Sequence, residues 1–316
     1  MPTGVSAPPP HLPAPLYQGS VNTWECDDGG HMNVRFHFER AMIGLAHMAH
    51  ALEMPRAFTQ AAGATLAPLE IHARFLKEAR PGAPLIMRGG IAKMDESEAL
   101  LCLDMRHADG SPSSVFNIRA AHADTRGFRA FAWPQRARAA AKRLHCALPA
   151  HAKPRSIDVN AVPSDISVAR ADELGALRIG GTMVMAEQCD AFGRLRGEQF
   201  VGRVSDSVPT FLSRWRHEIA GGKLEGGAPA GAVVESRLIF RRFPRAGDLI
   251  EIRSGVAEVG EKTLRLVHWL CDPESGAAWA SMEAVALTFD TATRKAIAPS
   301  ADVRARMQAR VLPMAI

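Results

Sequence analysis

No apolar run in the 316-residue chain reaches the roughly 18 to 20 residues that span a bilayer, because His, Glu or Arg interrupts every candidate. A soluble protein with no membrane partner is expected. The five cysteines, Cys26, Cys102, Cys146, Cys189 and Cys271, are odd in number, scattered, and never in a C-x-x-C pair. Neither a disulfide framework nor a structural zinc site is expected from them. Met1 to Pro15 is Pro-rich and lacks a basic start and an apolar core, which argues against a secretory signal and for a cytoplasmic protein. Charge is not in strong excess either: 38 Lys and Arg against 33 Asp and Glu leave +5. No zinc-finger spacing, basic zipper or aromatic RNA-binding signature accompanies it, so no nucleic-acid partner is expected. The chain also lacks a Gly-x-Ser-x-Gly elbow and a phosphate loop, which removes α/β-hydrolase and nucleotidase readings.

What remains is an ordinary globular composition, 47% apolar and 22% charged, long enough for two domains. An internal repeat organises it. Cys26-Asp27-Asp28-Gly29-Gly30 recurs as Cys189-Asp190-Ala191-Phe192-Gly193, an offset of 163 (Cys26 to Cys189). Downstream the offset becomes 165, with Glu70, Phe75, Arg80, Gly82, Arg88 and Gly90 facing Glu235, Phe240, Arg245, Gly247, Arg253 and Gly255. Matches in the same order imply two copies of one unit, of roughly 110 residues, a normal size for a small domain.

Each copy reads alike. A short strand (Tyr17 to Glu25; Thr182 to Gln188) ends at the Cys-Asp turn. Phe38, Met42, Leu45, Ala49 and Leu52 then carry a helical stripe that faces a core. Val201, Val204, Val208, Phe211 and Trp215 repeat it, with Pro209 expected to kink or restart the second helix. Extended segments follow: Leu69 to Glu78, Leu85 to Met94, Ala99 to His107 and Ser114 to Asp124, then their counterparts between Val233 and Asp290. One long helix and one antiparallel meander per copy make an α+β unit, one sheet wrapping one helix. The boundaries read as a disordered tail 1–13, domains 14–125 and 180–296, a connector 126–179 with a surface helix at Gln135 to Leu144, and a tail 297–316. Gly221-Gly222 and Gly226-Gly227 flank an expected mobile loop.

Trp24-Glu25-Cys26-Asp27-Asp28-Gly29-Gly30-His31-Met32-Asn33-Val34, followed by an amphipathic helix, resembles the signature turn of hotdog-fold thioesterases. Glu70 to Gly82, ending in Arg-Pro-Gly, is similar to that family's second strand and turn. The resemblance implies two hotdog units paired as an intramolecular pseudo-dimer, and a homodimer of such pseudo-dimers is compatible with it. It further implies hydrolysis of an acyl-CoA or acyl-carrier-protein thioester, without a cofactor or metal.

Thioester hydrolysis needs a base or nucleophile near the carbonyl carbon and donors for the oxyanion. A carboxylate at a turn just before a helix meets both needs, since the helix start offers unpaired N–H groups and positive partial charge. By resemblance Asp27 attacks the thioester or activates water, and amides near Asn33 and Val34 polarise the carbonyl and contact substrate. A capping carboxylate is the structural alternative for Asp27. His31 would orient water or assist the carboxylate. Plant acyl-carrier-protein thioesterases resemble this pattern with Asp, Asn and His, although Gly29 stands where the Asn is placed there. Asn33 also suits a helix N-cap. Glu78 resembles the distal acidic helper of that group, with a strand-end charge as its alternative. Glu70 and Glu235 suit a structural pair at least as well as catalysis.

The second copy keeps Asp190 but places Arg194, Arg196 and Phe243 opposite His31, Asn33 and Glu78. Arginine is no base at neutral pH. The favoured reading is one centre on Asp27, with Arg194 and Arg196 binding substrate phosphates; a second, differently tuned centre on Asp190 is the other. His47 and His50 lie one turn apart without a third ligand. Arg136, Arg138, Lys142 and Arg143 suit a solvated helix face, or an acidic carrier or CoA phosphates. Two rival functions remain. An enoyl-thioester hydratase usually shows Asp and His five apart with Asn-Pro between, unlike Asp27 and His31. A non-catalytic acyl-CoA-binding module would have no need of the retained pair.

Overall fold

The computed structural model describes residues 12–161, 165–220 and 229–313, with the side chains of 212–220 outside that description. The Gly221-Gly222 and Gly226-Gly227 loop, residues 1–11 and the side chain of Trp215 therefore lie outside the described residues. The chain divides into two units. One comprises Met1–Asn33, Glu39–Pro68 and Phe75–Lys153; the other comprises Val34–Phe38, Leu69–Arg74 and Pro154–Ile316.

In the first unit the elements are β1 (Ala14–Ser20), α1 (Val34–Ala51), β2 (Ala64–Phe75), β3 (Pro84–Met94), β4 (Glu98–His107), β5 (Pro112–Asp124) and α2 (Gln135–Arg143). α1 and β2 each lend a few residues to the other unit. Strands β1, β3, β4 and β5 lie in that order, antiparallel throughout. The stripe read as a core face is one, since Leu45, Ala49 and Leu52 are fully buried. Each buried leucine contributes about 1.5–3 kcal/mol. Period-two alternation sorts β4. Leu103 and, from β3, Met87 reach within 2.6 and 2.7 Å of where a Cβ on Gly44 of α1 would stand. Cys102, on the opposite face of β4, packs with Val115, Ala152, Cys146 and Leu148. The sheet is thus covered by α1 on one face and by the chain after α2 on the other.

The second unit holds α3 (Val168–Leu174), β6 (Leu177–Met183), α4 (Gly197–Ala220), β7 (Pro229–Phe240), β8 (Leu249–Val259), β9 (Thr263–Cys271), β10 (Ala278–Asp290) and α5 (Ala301–Gln308). Its strand order is the Leu69–Arg74 stretch of β2, then β7, β10, β9, β8 and β6. α4 runs through Pro209 without a break. Proline removes one donor there. Val208 and Phe211, on either side of it, pack against the cluster of Val256, Leu266 and Met307, and that packing holds the turn. α3 forms where coil is expected, started by the Ser167 hydroxyl accepting from the Arg170 amide at 3.0 Å and ended by Gly175 at φ +73°.

The repeat is written in the backbone too. The irregularity of the β1–β3 ladder between Pro15 and Tyr17 recurs between Arg178 and Gly180 of β6. That of β3–β4 between Ile91 and Lys93 recurs between Val256 and Glu258. The recurrence continues past Asp124. Phe128 and Arg294 share a positive φ of 54° and 58°. Isolated bridges Ala123–Ala130 and Ile91–His145 return as Phe289–Ala296 and Val256–Val311. α2 and α5 therefore correspond at an offset of 166 (Gln135 to Ala301), so the repeated unit includes the helix after the meander. One inserted residue shifts the register of the match. Asp124-Thr125 and Ala130-x-Ala132, echoed by Asp290-Thr291 and Ala296-x-Ala298, carry the signal in the sequence.

Glu70 and Glu235 are both in the second unit and both paired. Glu235 meets His72 Nε2 at 2.8 Å and accepts the amides of Arg155 and Ser156 at 2.9 and 2.8 Å. Burial pushes the Glu235 carboxyl up, but these hydrogen bonds outweigh it and hold the group below the usual carboxylate range. Glu70 accepts from Arg237 Nε at 2.7 Å. The rest of that guanidinium binds the carbonyls of Asp158, Val159 and Ala161. The pair of glutamates recurs because it organises the chain after Lys153.

Candidate active site

The Cys-Asp turn closes on itself. Cys26 and Met32 pair as an isolated antiparallel bridge, the Asp27 amide donates to the His31 carbonyl at 2.9 Å, and the Gly30 amide donates to the Asp27 carbonyl at 3.0 Å. Gly30 sits at φ +72°, left-handed backbone that suits glycine. The Asp27 carboxylate joins in, its Oδ1 accepting from the amides of Gly29 at 3.0 Å and His31 at 3.3 Å. These contacts all use Oδ1; Oδ2 carries none of them.

The Met32 amide donates to the Ala79 carbonyl at 2.8 Å, and this single bond lays the chain after β2 beside the turn. Glu78 then reaches His31, with Oε2 3.2 Å from Nε2, while His31 Nδ1 lies 3.7 Å from Asp27 Oδ1. The imidazole is 12% exposed and the two carboxylates 37% (Asp27) and 39% (Glu78). A nearly buried imidazole flanked by two accessible carboxylates is an arrangement chemically able to relay a proton. Its 3.7 Å separation from Asp27 exceeds a hydrogen bond. The thiol of Cys26, next in the chain, is pushed up by burial and by the charges of Asp27 and Glu25, so it is a poor nucleophile at neutral pH.

Beneath the turn lies a buried ion pair absent from the sequence reading. Glu25 Oε2 accepts from Arg40 Nη2 of α1 at 2.7 Å and from the Asn22 amide at 2.7 Å. Arg40 Nη2 also reaches the Ser20 carbonyl at 3.2 Å. The Asn33 amide is taken by the Glu25 carbonyl at 2.8 Å. α1 starts one residue later, at Val34. Trp24 stands 77% exposed three residues before Asp27.

The second copy repeats the turn bond for bond. Cys189 pairs with Leu195, the Asp190 amide donates to the Arg194 carbonyl at 2.7 Å, and Gly193 sits at φ +73°. Asp190 Oδ1 accepts from Phe192 at 2.8 Å and Arg194 at 3.0 Å, and the Leu195 amide reaches the Pro244 carbonyl at 2.8 Å. The side chains differ. Arg194 is buried, Arg196 Nε is bound to Glu198 at 2.7 Å, and Phe243 stacks on Phe240 and meets Phe200 edge-on. Around Asp190 there is therefore neither an imidazole nor a second carboxylate in the places of His31 and Glu78. His47 and His50 are exposed on α1, and among the described residues no three His, Cys, Asp or Glu side chains form a metal-binding group.

The chain is similar in fold to a candidate oleoyl thioesterase from Lactobacillus plantarum, at TM-score 0.65 and 10% identity, over 86% of this chain and 95% of that one. The 12:0-ACP thioesterase of Umbellularia californica gives TM-score 0.65 at 11% identity over 86% and 93% of the two chains. An acyl-ACP thioesterase of Bacteroides thetaiotaomicron gives 0.60 at 11% identity over 85% and 96%. No curated protein sequence matches. The model of the thioesterase-like superfamily matches residues 21–141 and again 184–307, once in each copy. The chain is a double hotdog and belongs to the thioesterase-like superfamily.

Proposed function

We propose that the chain hydrolyses a fatty acyl thioester, carried by CoA or by acyl-carrier protein, to free acid and thiol at one centre built on Asp27. The observation that carries this reading is the contrast between the copies. Asp27, His31 and Glu78 stand in line in one, and Asp190, Arg194 and Phe243 replace them in the other. Superfamily membership supports the reaction class, and the acyl chains of the similar folds support a fatty acyl group.

Asp27 Oδ2 acts as base on a water, or attacks the carbonyl carbon itself and is released by water. In either route a C–O bond forms, the C–S bond breaks, and the leaving thiolate takes a proton. His31 holds that proton inventory, and Glu78 holds His31 through Nε2.

Thiol release from short, long and aromatic acyl-CoAs and from acyl-carrier protein tests the reading. Asp27→Ala should lose on the order of 10²-fold or more in kcat, and Asp190→Ala should stay close to wild type. Equal losses would place chemistry in both copies, and absence of thiol release with every substrate would end the proposal.

A further inference from the structure

A groove of about 870 Å³ opens in the first unit between α2 and the far end of β3. It lies away from Asp27. The Asp27 turn is tied to the chain just before β3 through Ala79, and the groove begins at Ile91, so the stretch of β3 from Pro84 to Ile91, roughly 23 Å at about 3.3 Å per residue, separates them. Its floor is apolar, from Ile91, Met94 and Ala141, and its walls carry Lys93, Arg138, Lys142 and His145, with Asp95 and Glu96 at the turn. Arg138 is held in place by the Trp133 and Glu96 carbonyls, at 3.3 and 3.5 Å.

The second copy serves as an internal control. At the corresponding positions Val256 replaces Ile91, Glu258 replaces Lys93, Arg304 replaces Arg138, Met307 replaces Ala141, Gln308 replaces Lys142 and Val311 replaces His145. Met307 is fully buried there, in a cluster with Val256 and Val303 against which Val311 and Val259 pack. Glu258 is tied to Arg265 at 3.2 Å. One copy thus plugs this space with methionine and lines it with an acid. The other has shortened the plug to alanine and placed lysines at 93 and 142. Opening and positive charge changed together.

We infer that this groove binds a small amphipathic anion, an apolar body with a phosphate or carboxylate head, at a site separate from the Asp27 centre. The apolar floor takes the body, and Arg138 and Lys142 take the head, with Arg138 offering a pre-positioned planar fork; Lys93, whose Nζ pairs with Asp95 at 2.9 Å, adds its charge beside them.

The test is calorimetric titration of the full chain with decyl phosphate, decanoate, inorganic phosphate and decanol. The two variants, Ala141→Met and Lys93→Glu/Lys142→Gln, import the second copy's own residues; a melting curve checks folding, and Lys142→Gln alone replaces any variant that fails it. Decyl phosphate, decanoate or both should bind, with Kd raised at least about tenfold by each variant and left unchanged by Asp27→Ala. Preference between the two heads identifies the anion. Equal binding of decanol, a Kd indifferent to the groove variants, or binding lost only in Asp27→Ala would overturn the inference.

Discussion

Glu78 touches His31, so in the proposed mechanism its contribution to turnover would pass through the imidazole. Removing two members of one relay is non-additive. His31→Ala and Glu78→Gln should each lower kcat, and the double variant should be no slower than His31→Ala alone; additive losses would mean that Glu78 acts independently. A second residue-scale prediction concerns stability. His268 is fully buried, its Nδ1 2.7 Å from Ser254 Oγ, and burial drives it down to about 4. The unfolded chain takes up that proton near pH 6.5 and the folded chain does not, so stability falls as pH drops between those values. From pH 6.5 to 5 the wild type should lose about 2 kcal/mol more than His268→Met in denaturant titrations, at roughly 1.4 kcal/mol per unit. Asp27 and His31 are legible as candidates from the turn motif, with Asp27 repeated as Asp190, and Glu78 from the family resemblance. Glu25 and Arg40 are not. An arginine on a helix reads as solvated until the fold brings a carboxylate fifteen residues away beneath it. Removing one side of such a buried pair costs about 3–5 kcal/mol, so Arg40→Ala should unfold at markedly lower denaturant.

Among the elements, the two long helices and both meanders are legible from periodicity, since a period of 3.6 or of 2 is imposed by which face is buried. Element ends are less so. The first strand ends at Ser20, because the buried Glu25 turns Thr23–Glu25 into a short 3-10 segment. Pro209 looked at alone predicts a broken helix; packing of its neighbours decides otherwise. The glycines just before the β3 and β8 irregularities, Gly90 and Gly255, also behave differently on contact. A Cβ on Gly90 would stand 2.9 Å from the Leu144 carbonyl oxygen and 2.7 Å from Cys146 Sγ, whereas at Gly255 the three nearest atoms all belong to the side chain of Leu312. Backbone cannot rotate away as a leucine can. Gly90→Ala should therefore cost about 1–3 kcal/mol and Gly255→Ala less, measured by thermal unfolding. Comparable costs would show that the chain after α2 yields as easily as Leu312.

For the molecule as a whole, the segment following Lys153 is anchored by charge within its own unit. Glu235 receives two consecutive backbone amides and His72, and Arg237 gathers three carbonyls. Glu235→Ala strips partners from all three donors at once. A loss of about 3–5 kcal/mol and early proteolytic cleavage near Arg155 are expected; a melt and cleavage pattern like wild type would refute the anchoring role. Because the Glu235 carboxyl lies below its ordinary range, this stability is present above that range and fades as acid protonates it. The two-copy plan is legible at this scale from constant offsets. Its full extent, reaching α2 and α5, hides behind a one-residue slip and behind helix faces that share few identities.

The Cys-Asp turn is built in both copies from its own amides, one left-handed glycine and one bond to the neighbouring chain, at Ala79 or Pro244. None of these bonds depends on which side chain occupies 31 or 194, or 78 or 243. The molecule therefore carries the same backbone socket twice, and if the proposed Asp27 centre holds, two exchanges, Arg194→His and Phe243→Glu, are the minimum rewiring by which one gene product could be given a second, independently mutable centre.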